Sequence, residues 1–488
     1  DKLVTGVQTC ALPILAGENS WHTGKQELDG AVTDANGASS STTYYNNEGW
    51  ISRAQYDFDT RIFLSASFRR DASSRFHPDH RWGNFWSVGG AWIINKEPWF
   101  RVPWVDMLKV KASIGSQGND NIGSFRYTDV FTIESVEDAV ATVPYSKGNE
   151  NITWETNTNL NLGTEFTLFH DRLDGSFEFF DRRTTDMLFF FSLPLSYGYT
   201  GYYDNVGNMR NYGLELSLSY DILKKHDLGW NVSFNATKVL NRITMLHERN
   251  KTREVEGYHG YISGSYFYGE GLPLYTRYMK KWAGVDRETG EAQWYVQEEN
   301  GDGTVSDGVT TNWSDASYYL CGNSIPDWYG GLSTSFSWKG FDLSVNTTWQ
   351  LGGLAYDSGY ASMMSMPYSG TTGTNFHKDV LKAWSVTNRD SDIPRLVYGD
   401  QYSAATSTRF LTDASYINID NINVGYTFPS RWTRRCGIQS VRLYGACENV
   451  AYWSVRQGFD PRYSFSGSTN NTRYTPIRTL SGGITLTF

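Results

Sequence analysis

Apolar and polar side chains alternate with a period of two along much of the chain from about residue 50 onwards. Segment 212–220 reads YGLELSLSY, and segment 341–349 reads FDLSVNTTW. Successive side chains of a β-strand point to opposite faces of the sheet, so each segment predicts a strand with one apolar face and one polar face.

The same pattern predicts about 13 strands in all. They lie near 52–58, 61–69, 85–94, 107–115, 160–169, 172–182, 212–220, 229–238, 329–338, 341–350, 416–428, 440–449 and 481–488. The alternation slips between Ile419 and Ile422, and one extra residue in the strand would explain this slip. We therefore expect a β-bulge around Asp420 and Asn421.

The connections between these strands are expected to alternate between short and long along the whole chain, for example 170–171, then 183–211, then 221–228, then 239–328. Outer-membrane β-barrels have short periplasmic turns and long external loops. A string of β-sandwiches or a propeller is the alternative, but neither architecture places every long loop on one side. The sequence thus predicts an all-β, transmembrane, antiparallel β-barrel whose long loops face outwards.

In such a barrel the apolar face contacts lipid and the polar face lines the lumen. Leu216 and Val345 are expected near the middle of the lipid-facing surface. Tryptophans near strand ends are expected to form belts at the two membrane interfaces; they are Trp50, Trp230, Trp338 and Trp349. Ordinary packing within the sheet is the alternative role for these rings.

The composition supports this interpretation. Aromatic residues make up 16% of the 488 residues, which excludes a disordered chain. A mean hydropathy of −0.48 and the lack of a long apolar run exclude helical membrane spans. The net charge of −9 comes without any basic run, so nucleic acid is not expected as a partner.

No metal or catalytic motif is complete. The stretch Glu298–Val309 has oxygen-bearing side chains at partial EF-hand spacing, but Val309 stands where a bidentate Glu is needed. A Gly/Asp-rich turn is therefore favoured over a calcium site, and no cofactor is expected. The four cysteines, Cys10, Cys321, Cys436 and Cys447, are predicted to be free thiols.

The beginning of the chain differs from the rest. Residues 1–16 lack both the aromatic richness and the alternation, and they resemble a translated sequencing adapter; a short native apolar segment is the alternative. We expect a non-native leader at 1–16, the irregular end of an external loop at 17–49 and barrel at 50–488.

Several segments resemble the C-terminal barrel portion of SusC/RagA-type TonB-linked outer-membrane proteins. They include SFRRDASSRF at 67–76, RWGNFWSVGGAW at 81–92, LKVKASIGSQGNDNIG at 108–123, WETNTNLNLGTEF at 154–166, AGVDRETGEAQW at 283–294, GNSIPDWYGGLS at 322–333 and GFDPR at 458–462. The family barrel has 22 strands, so the resemblance implies that about 13 of 22 are present, without the plug domain. It also implies no enzymatic activity.

The resemblance further implies partners. They are a SusD-like surface lipoprotein at the external mouth, the TonB complex acting through the missing N-terminal part, and outer-membrane lipid. The last strand ends in GGITLTF, with Ile484, Leu486 and Phe488 in phase. A terminal aromatic in this pattern resembles the signal that the barrel-assembly machinery recognises.

Aromatic residues in the predicted loop 351–415 are candidates for ligand contact. Tyr356, Tyr360, Trp384 and Tyr402 lie among Gly and Ser residues, and ring faces with nearby amides suit sugars as well as a protein lid. Packing within the loop is the alternative. The acidic loop 239–328 is expected to be a solvated surface.

These features together predict TonB-dependent import of bulky nutrients, either oligosaccharides or peptides, by an outer-membrane transporter of which this chain is a fragment. Two alternatives remain at this point. One is a passive porin-like channel, and the other is a secreted carbohydrate-binding β-protein.

Overall fold

The computed structural model describes residues 44–136, 139–299, 305–366, 375–400, 402–434, 437–462, 465–469 and 476–488. The predictions for 1–16 and for most of 17–49 therefore lie outside the described residues. The first described strand begins at Asn47, close to the predicted start of the barrel at residue 50.

The described residues form 27 β-strands and two short α-helices. The first strands are β1 (Asn47–Phe58), β2 (Ile62–Ser73), β3 (Trp82–Ile93), β4 (Val105–Asn119), β5 (Val130–Val136), β6 (Ala139–Ser146), β7 (Glu155–Leu168), β8 (Leu173–Thr185), β9 (Leu188–Ser192), β10 (Gly201–Asn205), β11 (Asn208–Lys225), β12 (Leu228–Met245), β13 (Arg253–Val255) and β14 (Tyr258–Ser263).

They are followed by β15 (Tyr266–Gly269), β16 (Thr276–Lys280), β17 (Trp282–Val285), β18 (Ala292–Glu299), β19 (Val305–Thr310), β20 (Tyr318–Asn323), β21 (Trp328–Trp338), β22 (Phe341–Leu351), β23 (Leu354–Tyr356), β24 (Leu411–Asp413), β25 (Tyr416–Thr427), β26 (Ser440–Ser454) and β27 (Thr479–Thr487). The helices are α1 (Ser358–Met363) and α2 (Ser430–Thr433). No helix among the described residues is long and apolar enough to cross a membrane.

One large antiparallel sheet dominates the fold. Its 13 described strands follow chain order, β1-β2-β3-β4-β7-β8-β11-β12-β21-β22-β25-β26-β27. Each predicted strand overlaps one of them, and the all-β, antiparallel class is confirmed. A total of 22 strands in a complete barrel stays a prediction.

The sheet has two edges within the described residues. The edge strands β1 and β27 each pair with one neighbour, β2 and β26 respectively. Every side chain of β1 is exposed. Both edges therefore present backbone groups that this sheet does not pair.

The predicted bulge is present at Asp420. The pairing of β25 with β26 shifts register between Ile419 and Asn421, and the pairing of β22 with β25 shifts between Asn346 and Thr347. The extra residue Asp420 explains why the alternation slips at this point.

The expectation that short and long connections alternate without exception is wrong at one place. Strand β2 continues to Ser73 and β3 begins at Trp82, so the connection 74–81 is shorter than the connection 94–104 on the opposite side. The strands extend further than predicted because polar residues continue the ladder beyond the apolar stretch.

The long connections contain secondary structure of their own. Strands β13, β14, β15, β16 and β20 form one small sheet, and β17, β18 and β19 form another. Three two-stranded sheets are β5-β6, β9-β10 and β23-β24. Apolar alternation does not predict these strands because they are short and do not sustain it.

The two faces of the large sheet differ as predicted. On one face, large apolar side chains such as Val88, Leu162 and Leu332 are exposed. On the other face, polar groups bond to one another: the Asn231 amide donates to Ser219 Oγ (3.0 Å), and the Asn346 amide donates to Asn421 Oδ1 (2.9 Å). A sheet with this asymmetry suits lipid on one side and water on the other.

Charged residues also lie on the polar face. Lys109 and Lys111 both contact the Glu165 carboxylate, at 3.0 and 2.8 Å. Lys111 also reaches Glu178, two strands away, across Gly163 of the intervening β7. A Cβ atom at position 163 would come within 2.9 Å of Glu178 Cγ and 3.1 Å of Lys111 Cε, so the glycine makes room for this ion pair.

Candidate functional site

Three long connections on one side of the large sheet pack against each other. They are 246–327, 352–415 and 455–478, and we call their described residues the loop cap. The fully buried side chains Phe267, Trp294 and Phe410 all lie in the loop cap. The cap is therefore a folded layer beyond the end of the sheet.

A buried arginine joins the first and the last of these connections. Arg277 is 2% exposed; its Nε donates to Ser324 Oγ (3.1 Å), and Nη1 donates to Ser265 Oγ (3.0 Å). Its Nη2 donates to the carbonyls of Ser466 (3.1 Å) and Gly467 (2.6 Å) in the last connection. Burial lowers the pKa of Arg277, since no carboxylate among the described residues pairs with it.

The last connection also holds the middle one. The Tyr356 N–H donates to the Gly467 carbonyl (3.0 Å), and Thr469 Oγ1 donates to the Tyr356 carbonyl (2.7 Å). A Cβ at Gly467 would lie 2.2 Å from the Leu354 carbonyl oxygen. Segment 465–469 therefore fits closely between the two other connections.

Two of the four predicted aromatic residues take part in packing. Tyr356 and Tyr360 both contact the ring of Phe410, with centroids 6.3 and 6.0 Å apart, and both border an apolar cluster that includes Val380 and Ile393. Burial raises the pKa of both phenols. The alternative role, packing within the loop, describes their surroundings; ligand contact by them stays a prediction.

Polar contacts also surround Tyr360. Its hydroxyl donates to Asp379 Oδ2 (3.1 Å), and the Arg456 guanidinium lies 3.7 Å from its ring centroid. The Lys382 ammonium bonds Asp379 Oδ1 (3.0 Å) and holds the pKa of this carboxyl below its usual range. These contacts hold the Tyr360 ring in place within the loop cap.

Trp384 packs against the turn between β17 and β18. Its ring lies so close to Gly290 that a Cβ there would be 2.4 Å away, and its Nε1 donates to the Arg287 carbonyl (3.0 Å). The Arg395 N–H donates to the Gly290 carbonyl (2.8 Å). The indole N–H is thus already used within the protein.

Tyr402 lies at a pocket. The ring is 46% exposed and nearly parallel to Trp313, with centroids 6.3 Å apart. A pocket of about 200 Å³ lies beside it. Its lining includes Glu291, Trp294, Arg395, Asp400, Tyr402 and Ser403. The structure therefore brings Trp384 and Tyr402 close to segment 290–291, whereas Tyr356 and Tyr360 pack against Phe410.

Sequence patterns did not single out Arg277, Trp294 or Arg395. Trp294 lies within the AGVDRETGEAQW stretch that carries part of the family resemblance, so this motif could have indicated the pocket. Arg277 has no recognisable signal, because its partners are hydroxyls and carbonyls distant in sequence.

The remaining sequence predictions concern metals and the C-terminus. Glu298 and Val309 lie on the paired strands β18 and β19, and the turn 300–304 is outside the described residues. The described residues contain no group of three or more acidic, His or Cys side chains that could hold a metal. Ile484 and Leu486 are exposed on the edge strand β27, and Phe488 follows it.

Comparison with known proteins agrees with the fold. The family model described as "TonB dependent receptor-like, beta-barrel" matches residues 14–450. TonB-dependent receptor P3 of Formosa agariphila is 25% identical over 485 residues, covering 92% of this chain and 46% of the relative. TonB-dependent receptor SusC of Bacteroides thetaiotaomicron is 26% identical over 473 residues, covering 90% and 43%.

The structure of the RagAB peptide transporter superimposes with a TM-score of 0.79 at 27% identity, covering 93% of this chain and 49% of that chain. The chain thus spans about half the length of the relatives that it matches. The SusC/RagA-type resemblance is confirmed, and the family is one of outer-membrane receptors and transporters, not of enzymes. With a family match over most of its length, this chain belongs to the TonB-dependent receptor-like β-barrels of the outer membrane.

Proposed function

We propose that this chain is part of a transporter that uses TonB to import bulky nutrients, oligosaccharides or peptides, across the outer membrane. The main supporting observation is the large sheet, which has one exposed apolar face and one polar face with paired charges, below a folded loop cap. Ligand would be captured at the cap and would pass along the polar face, under the control of a plug domain supplied by the rest of the protein.

The partners follow from the same assignment. A SusD-like lipoprotein would cover the loop cap from outside, and the TonB complex would act on the part of the transporter beyond this chain. RagAB, whose structure this chain matches, is a peptide transporter, whereas the name of the SusC relative specifies no substrate. Both substrate classes therefore remain within the proposal.

Uptake in the native host tests the proposal. We expect accumulation of fluorescent oligosaccharides or peptides that depends on the complete transporter gene and also on TonB. Uptake that persists after TonB is deleted would instead indicate a passive channel. Complete protein recovered from the periplasm or medium, rather than the outer membrane, would indicate a secreted binding protein.

We also infer that Ile484, Leu486 and Phe488 carry the outer-membrane assembly signal. All three side chains are exposed at an unpaired sheet edge, where assembly factors can reach them. Phe488→Ala in the complete transporter should lower its amount in the outer membrane, measured by fractionation. Ser481→Ala in the same strand is the control, and equal loss in both variants would contradict this role.

A further inference from the structure

Three arginines lie side by side on the apolar face of the large sheet, at the end next to the loop cap. They are Arg183 of β8, Arg210 of β11 and Arg242 of β12. Arg210 is the register partner of both others, so the three form one row across adjacent strands. In the alternation of β11, Arg210 is in phase with Tyr212 and Leu216, which places the row on the apolar face.

The height of this row matches the surface of the membrane. Leu216, in the middle of β11, lies six positions along the strand from Arg210. Six residues span about 20 Å, which is about 15 Å along the barrel axis when the strand is tilted by about 40°. An apolar band about 25 Å tall ends about 12 Å from its middle. The arginines therefore lie just outside the hydrocarbon, at the level of the lipid head groups.

One carboxylate serves two of the three arginines. Arg210 Nε and Nη2 donate to the two oxygens of Asp181 (2.9 and 2.8 Å), and Arg183 Nη2 donates to Asp181 Oδ2 (2.9 Å). Asp181 is buried, whereas the side chains of Arg183 and Arg210 are 60% and 37% exposed. Arg242 is exposed, and no carboxylate among the described residues pairs with it. The row therefore keeps two positive charges that the protein does not compensate.

The uncompensated charge and the donor geometry suit a phosphate. A guanidinium presents its N–H groups as a planar fork that matches two phosphate oxygens, and a phosphate monoester carries about −1.5 to −2 charges at pH 7. Lys238 adds a cation on the same face, two rows nearer the middle of the membrane, and a lysine side chain can reach the interface from there. A lipid holds its phosphate at this height and its acyl chains below it.

We propose that the row of Arg183, Arg210 and Arg242 binds the phosphate head group of a lipid whose acyl chains lie along the apolar face of the sheet. Below the row, the exposed side chains of Phe177 and Leu240 would contact these chains. In the proposed function the loop cap faces outwards, which makes this leaflet the outer one; the inference rests on that function at this point alone.

Native mass spectrometry of the complete transporter in detergent tests the inference, because it counts bound lipids without requiring transport. The probes are dioleoyl phosphatidic acid, whose head group is a phosphate monoester, and dioleoylglycerol, which has the same chains and no phosphate. We expect phosphatidic acid to bind at least about tenfold more tightly than dioleoylglycerol. Millimolar inorganic phosphate should not displace it, because a free anion lacks the chains.

Variants locate the bound lipid. Arg242→Gln should weaken binding of phosphatidic acid about fivefold, and Arg183→Gln combined with Arg242→Gln about 25-fold. Arg210 is kept in both variants because it compensates the buried Asp181 carboxylate. Arg182→Gln is the matched control, since Arg182 precedes Arg183 in β8 and belongs to the opposite face of the sheet. It should leave binding unchanged.

Four outcomes would overturn the inference: equal binding of the two lipids, displacement of the lipid by inorganic phosphate, equal binding by the unaltered transporter and the double variant, or equal weakening by Arg182→Gln and Arg242→Gln. Folding of each variant is checked by its heat-dependent migration in gel electrophoresis. Arg242→Gln breaks no ion pair among the described residues, so it decides the question if the double variant does not fold. TonB-dependent uptake by a transporter without preference for phosphatidic acid would refute the lipid site and leave the proposed function standing.

Discussion

Gly467 lies where the three connections of the loop cap meet, and its lack of a side chain lets them pack closely. Its φ is +69°, and a Cβ would approach the Leu354 carbonyl oxygen (2.2 Å), Ser324 Oγ (2.5 Å) and Arg277 Nη2 (2.8 Å). Gly399 has a similar φ of +83° but nothing within 4 Å of a Cβ. Substitution of each glycine by Ala therefore separates two contributions to the loss of stability. One is the strain of a left-handed backbone, and the other is the close contacts of the added Cβ atom.

We expect Gly399→Ala to cost about 1–2 kcal/mol, the strain of a left-handed backbone with a Cβ. Gly467→Ala should cost about 3 kcal/mol or more, because backbone atoms of β23 must also move. Amide hydrogen exchange of segments 354–356 and 465–469 in the complete transporter measures the difference. Equal exchange in both variants would mean that segment 465–469 does not hold the cap.

A second residue-scale prediction concerns Cys321 in β20. Its thiol is half-buried, and burial raises the pKa of Cys321 to about 11. Because only the thiolate reacts, alkylation by iodoacetamide at pH 8 should be about two hundredfold slower than for a thiol of pKa ~8.5. The rate should rise about tenfold per pH unit up to about pH 10.

Mass spectrometry of the peptide that contains Cys321 follows this reaction. The experiment uses the complete transporter with Cys10, Cys436 and Cys447 replaced by Ser, so that Cys321 is the one thiol left in the part covered by this sequence. A rate that levels off below pH 9 would show that the Cys321 thiol is not protected by burial. The same rate measured in urea provides the unprotected reference.

At the scale of elements, the strands of the large sheet each have a lipid-facing and a water-facing side. Leu216 and Ser217 are adjacent in the middle of β11 and pair with Ala236 and Asn235 of β12. Leu216→Arg should cost about 2–4 kcal/mol because it places a charge at the apolar face, whereas Ser217→Arg should cost less than about 1 kcal/mol. Urea unfolding of the complete transporter in lipid vesicles compares them, and equal costs would contradict the assigned faces.

Alternation predicted the strands of the large sheet because their two faces have different solvents. Alternation also predicted the β-bulge, because the extra residue Asp420 interrupts the alternation of apolar and polar side chains in β25. Alternation does not predict the strands of the loop cap. Their side chains are buried by contacts with other connections rather than by facing lipid or water. For example, Arg277 of β16 is buried against Ser324 of the same connection, 47 residues away, and against Gly467 of the last connection.

The candidate site was predictable only in part. The sequence identifies Tyr402 as an aromatic residue in a predicted loop rich in Gly and Ser. By the same criterion it identifies Tyr356 and Tyr360, whose rings pack against other residues of the protein. The pocket depends on contacts between Glu291 and Arg395, which are about a hundred residues apart. No local pattern indicates that these two side chains meet.

At the scale of the whole molecule, the two edges of the sheet decide how the chain behaves alone. Strands β1 and β27 pair on one side only, and unpaired backbone groups in lipid are strongly unfavourable. We therefore predict that the isolated chain of 488 residues aggregates after refolding in detergent. A monodisperse sample in size-exclusion chromatography, with migration in gel electrophoresis that changes on heating, would contradict this prediction.

The ion pair that Lys111 makes with Glu178 across Gly163 has a consequence for engineering. Lys111 of β4 contacts Glu178 of β8, although β7 lies between these two strands. The ion pair therefore links β4 to β8 directly, which the backbone hydrogen bonds between adjacent strands do not do. In a Glu165→Gln background, which removes the other carboxylate that contacts Lys111, this ion pair can be reversed in sign. A genetic selection for uptake can combine Lys111→Glu with Glu178→Lys. If each substitution restores the function that the other one alone removes, strands β4, β7 and β8 are assembled in the living cell as they are in this structure.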